Sequence, residues 1–190
     1  IMANVSRING ARPVKHLNGS PYNGQANIYE IVVGDSTGPT TVGDFVAADG
    51  GTGTTNYPTC VRVAASGQVT SGLILGVVVG KVIMDGTSGA NQTQPSLDVP
   101  NQGTVPDSTK TLVLVADAPD LIFEIQDGGT VPCTKTLIGM NTGISADVSS
   151  TVTGASGMAT GTTAPTTTNS LPLKIMGIVN SPDNEPAAAY

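Results

Sequence analysis

The chain has 190 residues and a formal net charge of −6, and it contains one histidine, two cysteines, no tryptophan and only 12% charged residues. General acid–base and nucleophilic catalysis need His, Cys, Lys or carboxylates held close together, so we expect a non-enzymatic protein without catalytic residues, cofactor or metal. The negative charge, without any basic run, argues against a nucleic-acid partner. The longest apolar run, residues 73–84, is too short to span a bilayer, so no membrane partner is expected.

Residues 1–27 are predicted to form an extended N-terminal arm. Three Asn-Gly pairs, at 9–10, 18–19 and 23–24, indicate turns, and Pro13 and Pro21 each remove a backbone donor. The arm is basic within an acidic protein, and tyrosines are favoured at protein interfaces. We therefore predict a protein interface whose candidate residues are Arg7, Arg12, Lys15, His16, Tyr22 and Tyr29.

From residue 28 to residue 190 the pattern predicts one β domain with long polar loops. Segments rich in β-branched residues alternate with Gly, Pro, Asn and Asp clusters, and within residues 59–64 the alternation is typical of a half-buried strand. Little helix is expected beyond a single turn at 133–140, so the prediction is an antiparallel β-sandwich or barrel. The predicted strands are 28–33, 42–47, 59–64, 73–84, 110–116, 121–126 and 173–179.

Two features of the connections between these strands lead to further predictions. The short connection 117–120 predicts that strands 110–116 and 121–126 form a hairpin. Three stretches of small and polar residues, 50–56, 86–94 and 149–169, are predicted to be loops.

Few groups along the chain suggest chemistry. Cys60 and Cys133 are predicted to be buried thiols, although a disulfide between them stays open. Asp117, Asp120 and Glu124 are the only basis for a glycosidase-type alternative, and acidic residues beside a proline are ordinary in turns. The opening residues 2–7 lack the apolar stretch of a secretory signal, so we expect a cytoplasm-like compartment.

Four segments resemble a known protein family, and they follow one another in the same order along nearly the whole chain. The chain resembles the head decoration, or cement, proteins of tailed bacteriophages. The first and third segments are the most specific, whereas the loops from Gly50 and Gly86 onward match nothing in the family. The segments are RPVKHLNGSPYNG at 12–24, LGVVVG at 75–80, VADAPDLIFEIQ at 115–126, and LPLKIMG at 171–177 with PDN at 182–184.

The resemblance implies a small β protein on the outer surface of a virion capsid, assembled in the host cytoplasm. Such a protein binds the major capsid protein, often as a homotrimer at local three-fold positions, and stabilises the head by tying coat subunits together. Two other functions stay open: a structural module of a phage tail or fibre, and a glycan-binding surface module, which the lack of tryptophan disfavours.

Overall fold

The structure is a computed structural model that describes residues 8–31, 40–49, 57–63, 74–83, 95–96, 111–128, 133–147 and 156–179. The predictions for Arg7 and for the loops 50–56 and 86–94 lie outside these residues. Across the described ranges the chain forms twelve strands and one short 3-10 turn. They are β1 (Arg12–His16), β2 (Asn27–Ile31), β3 (Phe45–Ala48), β4 (Thr59–Arg62), β5 (Ile74–Ile83), β6 (Pro95–Ser96), β7 (Thr111–Ala116), β8 (Leu121–Glu124), the 3-10 turn (Lys135–Leu137), β9 (Asn141–Thr142), β10 (Ile144–Asp147), β11 (Gly157–Thr160) and β12 (Leu173–Lys174).

Five strands close into a barrel. They follow the order β3-β4-β2-β7-β5, and β5 pairs back onto β3, while β6 adds to β5 outside the ring. The pairing of β2 with β4 is parallel and the other four pairings are antiparallel. This architecture confirms the prediction of a mainly-β sandwich or barrel with little helix, the barrel being the form found, and the 3-10 turn lies where a single turn was predicted.

Three smaller two-stranded sheets accompany the barrel. They pair β1 with β8, β10 with β11, and β9 with β12, all antiparallel. A backbone hydrogen bond of 3.0 Å from Thr160 N to Gln126 O connects the β10–β11 pair to the residues that follow β8. Each of the three sheets also contributes a side chain to one apolar cluster with the barrel residue Phe45, and we call these sheets together the second layer.

The core consists of two clusters on opposite faces of the barrel wall. Phe45 and Val77 belong to one cluster and their neighbours Val46 and Val78 to the other, because successive side chains of a strand point to opposite faces. Among the described residues, the Val46 cluster draws only on barrel strands, so we assign it to the barrel interior. The Phe45 cluster also contains residues of the second layer, Ala11, Ile144 and Met158, so it joins that layer to the barrel.

The predicted hairpin of strands 110–116 and 121–126 is wrong. β7 has β2 along one edge and β5 along the other, so neither edge is left for β8. β8 pairs with β1 instead. The connection 117–120 carries the chain from the barrel wall into the second layer.

Two further predictions, one about a loop and one about the exposure of a strand, are wrong in part. Residues 157–160, inside the predicted loop 149–169, form β11, and Met158 is fully buried there. Thr59, Cys60, Arg62 and Val63 are all buried, so β4 is not half-exposed. The reason is that both faces of the barrel wall are covered, and Arg62 is buried with a carboxylate partner.

The described part of the predicted arm contacts the rest of the protein along its length. Ala11 is 3% exposed and its N–H donates to Gly43 O at 2.9 Å. β1 then pairs with β8 through four residue positions, and residues 27–31 enter the barrel as β2. The division of the chain at residue 27 stays a prediction.

Candidate protein-binding surface

The N-terminal segment, residues 12–29, is held against residues 117–124, which we call the acidic connection. The acidic connection carries three carboxylates, and each one binds a different part of the N-terminal segment. The two stretches run antiparallel, so the first basic residue meets the last carboxylate. This arrangement decides which predicted interface residues remain available to a partner.

Arg12 and Glu124 form the contact at the start of β1. Arg12 Nη2 donates to Glu124 Oε2 at 2.8 Å, and Arg12 Nε donates to the same oxygen at 3.2 Å. The Arg12 side chain is 74% exposed, and exposed pairs contribute about 1 kcal/mol or less. The pair therefore orients Arg12 more than it stabilises the fold.

His16 and Asp120 form the contact at the end of β1. His16 Nδ1 lies 3.0 Å from Asp120 Oδ1, and the histidine side chain is only 15% exposed. The hydrogen bond with His16 lowers the pKa of Asp120 below its ordinary 3.8. The Leu17 N–H also donates to the Asp120 carbonyl at 2.8 Å, so both side chain and backbone fix this end of the strand.

Asp117 accepts hydrogen bonds from β2. Asn27 Nδ2 lies 3.1 Å and 3.0 Å from its two carboxylate oxygens, and the Tyr29 hydroxyl donates to Oδ2 at 2.7 Å. Burial and this carboxylate raise the pKa of Tyr29 to about 12. Burial and the same negative charge also raise the pKa of Tyr22, whose hydroxyl donates to Gln25 O at 2.9 Å.

Of the six predicted interface residues, three have their polar groups engaged by the acidic connection: Arg12, His16 and Tyr29. Tyr22 closes its own turn, and Arg7 lies outside the described residues. Lys15 is exposed and forms no ion pair with any residue that the structure describes. The six residues therefore do not form one basic face.

Two exposed apolar side chains flank Lys15, and the sequence analysis did not single them out. Val14 is 41% exposed and Leu17 is 59% exposed. The pairing of β1 with β8 skips Val14, because the register shifts between Pro13 and Lys15, and such a bulge re-aims a side chain. We call Val14, Lys15 and Leu17 the β1 surface. The signal in the sequence was an apolar residue directly before Lys15 and another two positions after it, in a turn-rich stretch.

A buried polar cluster centred on Asp44 was also missed. Arg62 Nε donates to Asp44 Oδ2 at 2.9 Å, the Thr41 N–H donates to the same oxygen at 2.8 Å, and Ser156 Oγ donates to Oδ1 at 2.5 Å. Asp44 is fully buried and the Arg62 side chain is 2% exposed. The cluster joins β3, β4 and the start of β11, which gives it a structural role.

The remaining reactive groups are separate from one another. Cys60 and Cys133 are free thiols, the first buried and the second half-buried. Burial raises the pKa of Cys60 to about 12 and also raises the pKa of Cys133. Within the described ranges, no three His, Cys, Asp or Glu residues are grouped so as to hold a metal ion. No helix in this part of the chain has the length and apolar character to cross a bilayer.

The chain was compared with protein families, curated proteins and solved structures. No family model, no curated protein and no solved structure matches it.

Proposed function

We propose that this chain is a decoration protein that binds the major capsid protein on the outside of a phage head and stabilises the shell. The observation that carries the proposal is the β1 surface. It lies inside residues 12–24, one of the two most specific parts of the resemblance to cement proteins, and it presents two exposed apolar side chains around an exposed lysine. Protein interfaces combine an apolar centre with a polar, solvent-accessible rim, and Val14 and Leu17 could contribute to the centre and Lys15 to the rim.

The acidic connection holds the β1 surface in a fixed conformation before any partner binds. Binding costs conformational entropy whenever a loop or side chain has to be ordered. The contacts of Glu124 and Asp120 already fix both ends of β1. A coat protein would therefore meet an ordered strand, and less of the contact energy would be lost to ordering.

The distribution of carboxylates supports a structural use over the glycosidase alternative. Asp117, Asp120 and Glu124 each have a separate partner in the N-terminal segment. Their positions are accounted for by holding β1 and β2 in place. A homotrimer, which the resemblance implies, would multiply a weak single contact through avidity.

Substitutions that place a negative charge in the β1 surface test the proposal. The variants Lys15→Glu and Leu17→Asp are mixed with capsids that lack the protein, and binding is measured by co-sedimentation. We expect a loss of affinity of about tenfold or more, the size of a hot-spot substitution. Substitution is preferable to deletion of residues 1–24, because deletion would remove the buried Ala11 and the β1 partner of β8.

The matched controls change the same residue types away from β1. Lys135→Glu and Ile138→Asp alter an exposed lysine and a 46% exposed isoleucine near the 3-10 turn, and they should bind as the unchanged protein does. If the β1 variants bind normally, the β1 surface is not the attachment site. Gold labelling of whole particles then distinguishes a head protein from a tail module: label confined to the tail would overturn the capsid proposal.

A further inference from the structure

The three Asn-Gly pairs differ in how the fold holds them, and the difference concerns a chemical modification. An asparagine followed by glycine can lose its side-chain amide when the next backbone nitrogen attacks it, since glycine has no side chain to obstruct the approach. The reaction requires that the glycine N–H and the asparagine amide both be free to move. The three pairs differ in how strongly the fold restrains these two groups.

The pair Asn18-Gly19 is held at both reacting groups. The Gly19 N–H donates to His16 O at 2.9 Å. Asn18 Oδ1 accepts from the Ser20 N–H at 2.9 Å and from Ser20 Oγ at 2.7 Å. Three hydrogen bonds therefore have to be broken before the nitrogen can approach the side-chain carbon.

The pair Asn9-Gly10 is held by packing. A side-chain carbon added at Gly10 would lie only 2.5 Å from Gly43 O and from Ser156 Cβ. Gly10 also precedes the buried Ala11, whose N–H is bonded to Gly43 O. The backbone at this pair has little room to rotate into the attacking geometry.

The pair Asn23-Gly24 is restrained less than the other two pairs. Both residues are exposed, and nothing lies within 4 Å of a side-chain carbon placed at Gly24. The Gly24 N–H donates no hydrogen bond to any residue that the structure describes. Asn23 Oδ1 accepts a single bond, from the Gln25 N–H at 3.2 Å.

We propose that Asn23 is a site of spontaneous deamidation, and that the fold protects Asn9 and Asn18 from the same reaction. The Gly24 backbone nitrogen forms a bond to Asn23 Cγ, and the Cγ–Nδ2 bond breaks. Asn23 Nδ2 leaves as ammonia, and it takes up the proton that the Gly24 nitrogen loses. Water then opens the cyclic imide to aspartate or isoaspartate, so the only co-reactant is water.

The modification changes the N-terminal segment. It adds one negative charge next to Tyr22, in a segment whose other charged side chains, Arg12 and Lys15, are both basic. Isoaspartate would also lengthen the backbone by one carbon within the turn that the Tyr22 hydroxyl closes at Gln25. An aged preparation should therefore contain a more acidic form that differs at this turn. The inference does not rest on the proposed function.

Incubation of the folded full-length chain in mildly alkaline buffer tests the proposal. Peptide mapping by mass spectrometry follows conversion of amide to acid at the three asparagines, and ion exchange follows the acidic form. We expect Asn23 to convert about tenfold or more faster than Asn18, a factor comparable to the loss of one or two hydrogen bonds. In the chain unfolded by urea, the three rates should become similar.

Two variants complete the test. Asn23→Gln should abolish the early acidic form, and Ser20→Ala, which removes one of the bonds to Asn18, should speed conversion at Asn18 alone. Conversion of Asn18 or Asn9 at the rate of Asn23 in the folded protein would overturn the proposal. So would an Asn23 rate far below its rate in the urea-unfolded chain.

Discussion

Arginine forms two ion pairs with carboxylates in the described structure, and their surroundings differ completely. Arg62 and Asp44 are 2% and 0% exposed, whereas Arg12 and Glu124 are 74% and 31% exposed. Removing one partner of a buried pair leaves an uncompensated charge in a medium that solvates it poorly. Water takes over that solvation at the surface, so the exposed pair matters little to the free energy of unfolding.

The substitution Arg62→Met is expected to lower the free energy of unfolding by about 3–5 kcal/mol. The physical reason is that Asp44 then loses its buried cationic partner, and neutral donors such as Thr41 N–H and Ser156 Oγ do not replace that positive charge. Urea unfolding followed by far-UV circular dichroism measures the change.

Arg12→Met is the matched control for this measurement. It removes the same side chain from the surface pair, and we expect a change of about 1 kcal/mol or less. Equal losses in the two variants would show that the Asp44 cluster is not a stabilising centre. If Arg62→Met does not fold, the double variant Asp44→Asn, Arg62→Met should recover part of the stability, because it removes the unpaired charge.

At the scale of elements, the position of β1 depends on the packing of residues 10 and 11, which directly precede it. Gly10 has a φ of +74°, in the left-handed region that favours glycine, and it packs against Gly43 and Ser156. Ala11 follows directly and belongs to the Phe45 cluster. Gly19, in the turn after β1, also has a left-handed φ of +89°, but nothing lies within 4 Å of its added side-chain carbon.

The substitutions Gly10→Ala and Gly19→Ala separate packing from backbone strain. Both place alanine in the left-handed region, which costs about 1–2 kcal/mol. Only Gly10→Ala also forces an atom into a filled space, which adds about 1–3 kcal/mol. Thermal unfolding should therefore show a clearly larger loss of stability for Gly10→Ala. A loss no larger than that of Gly19→Ala would mean that the contact with Ser156 is loose.

The sequence located most of the strands but not all of their partners. The class of fold follows from β-branched segments separated by turn residues. The barrel strands β4, β5 and β7 lie within predicted segments, and β2 and β3 each overlap one. The pairing of β8 with β1 was not predicted, because a short connection favours a hairpin unless both edges of the first strand are already taken. β11 has the sequence Gly-Met-Ala-Thr, which has little strand preference, and its partner β10 was not predicted as a strand either.

For the candidate site too, the sequence shows which residue types are present but not which of them contact each other. The basic residues of the N-terminal segment and the carboxylates of the acidic connection were both visible in the sequence, but their contact was not. That Asp117, Asp120 and Glu124 bind Tyr29, His16 and Arg12 depends on tertiary pairing across about one hundred positions. Only the structure shows that Lys15 remains outside these pairs and that Val14 and Leu17 stand exposed around it.

At the scale of the whole molecule, Ala11, which directly precedes the N-terminal segment, shares one apolar cluster with the barrel. Ala11 packs with Phe45 and Val77 of the barrel and with Met158 of the second layer, and Phe123 of β8 meets Phe45 edge-on with ring centroids 5.8 Å apart. Detaching the segment would expose this cluster to water, at about 25 cal/mol for each Å² of apolar surface. The segment and the barrel should therefore unfold together.

Coincident unfolding transitions test this coupling, since a two-state transition looks the same to every probe. Tyrosine fluorescence reports on the part of the segment that precedes the barrel once Tyr29, Tyr57 and Tyr190 are replaced by Phe, because Tyr22 is then the one tyrosine left in the chain. Far-UV circular dichroism reports on the strands. We expect one urea midpoint for both signals. A tyrosine transition at clearly lower urea would mean that the contacts of Asp117, Asp120 and Glu124 open before the barrel does, and residues 1–27 would then be a separable arm, as the sequence predicts.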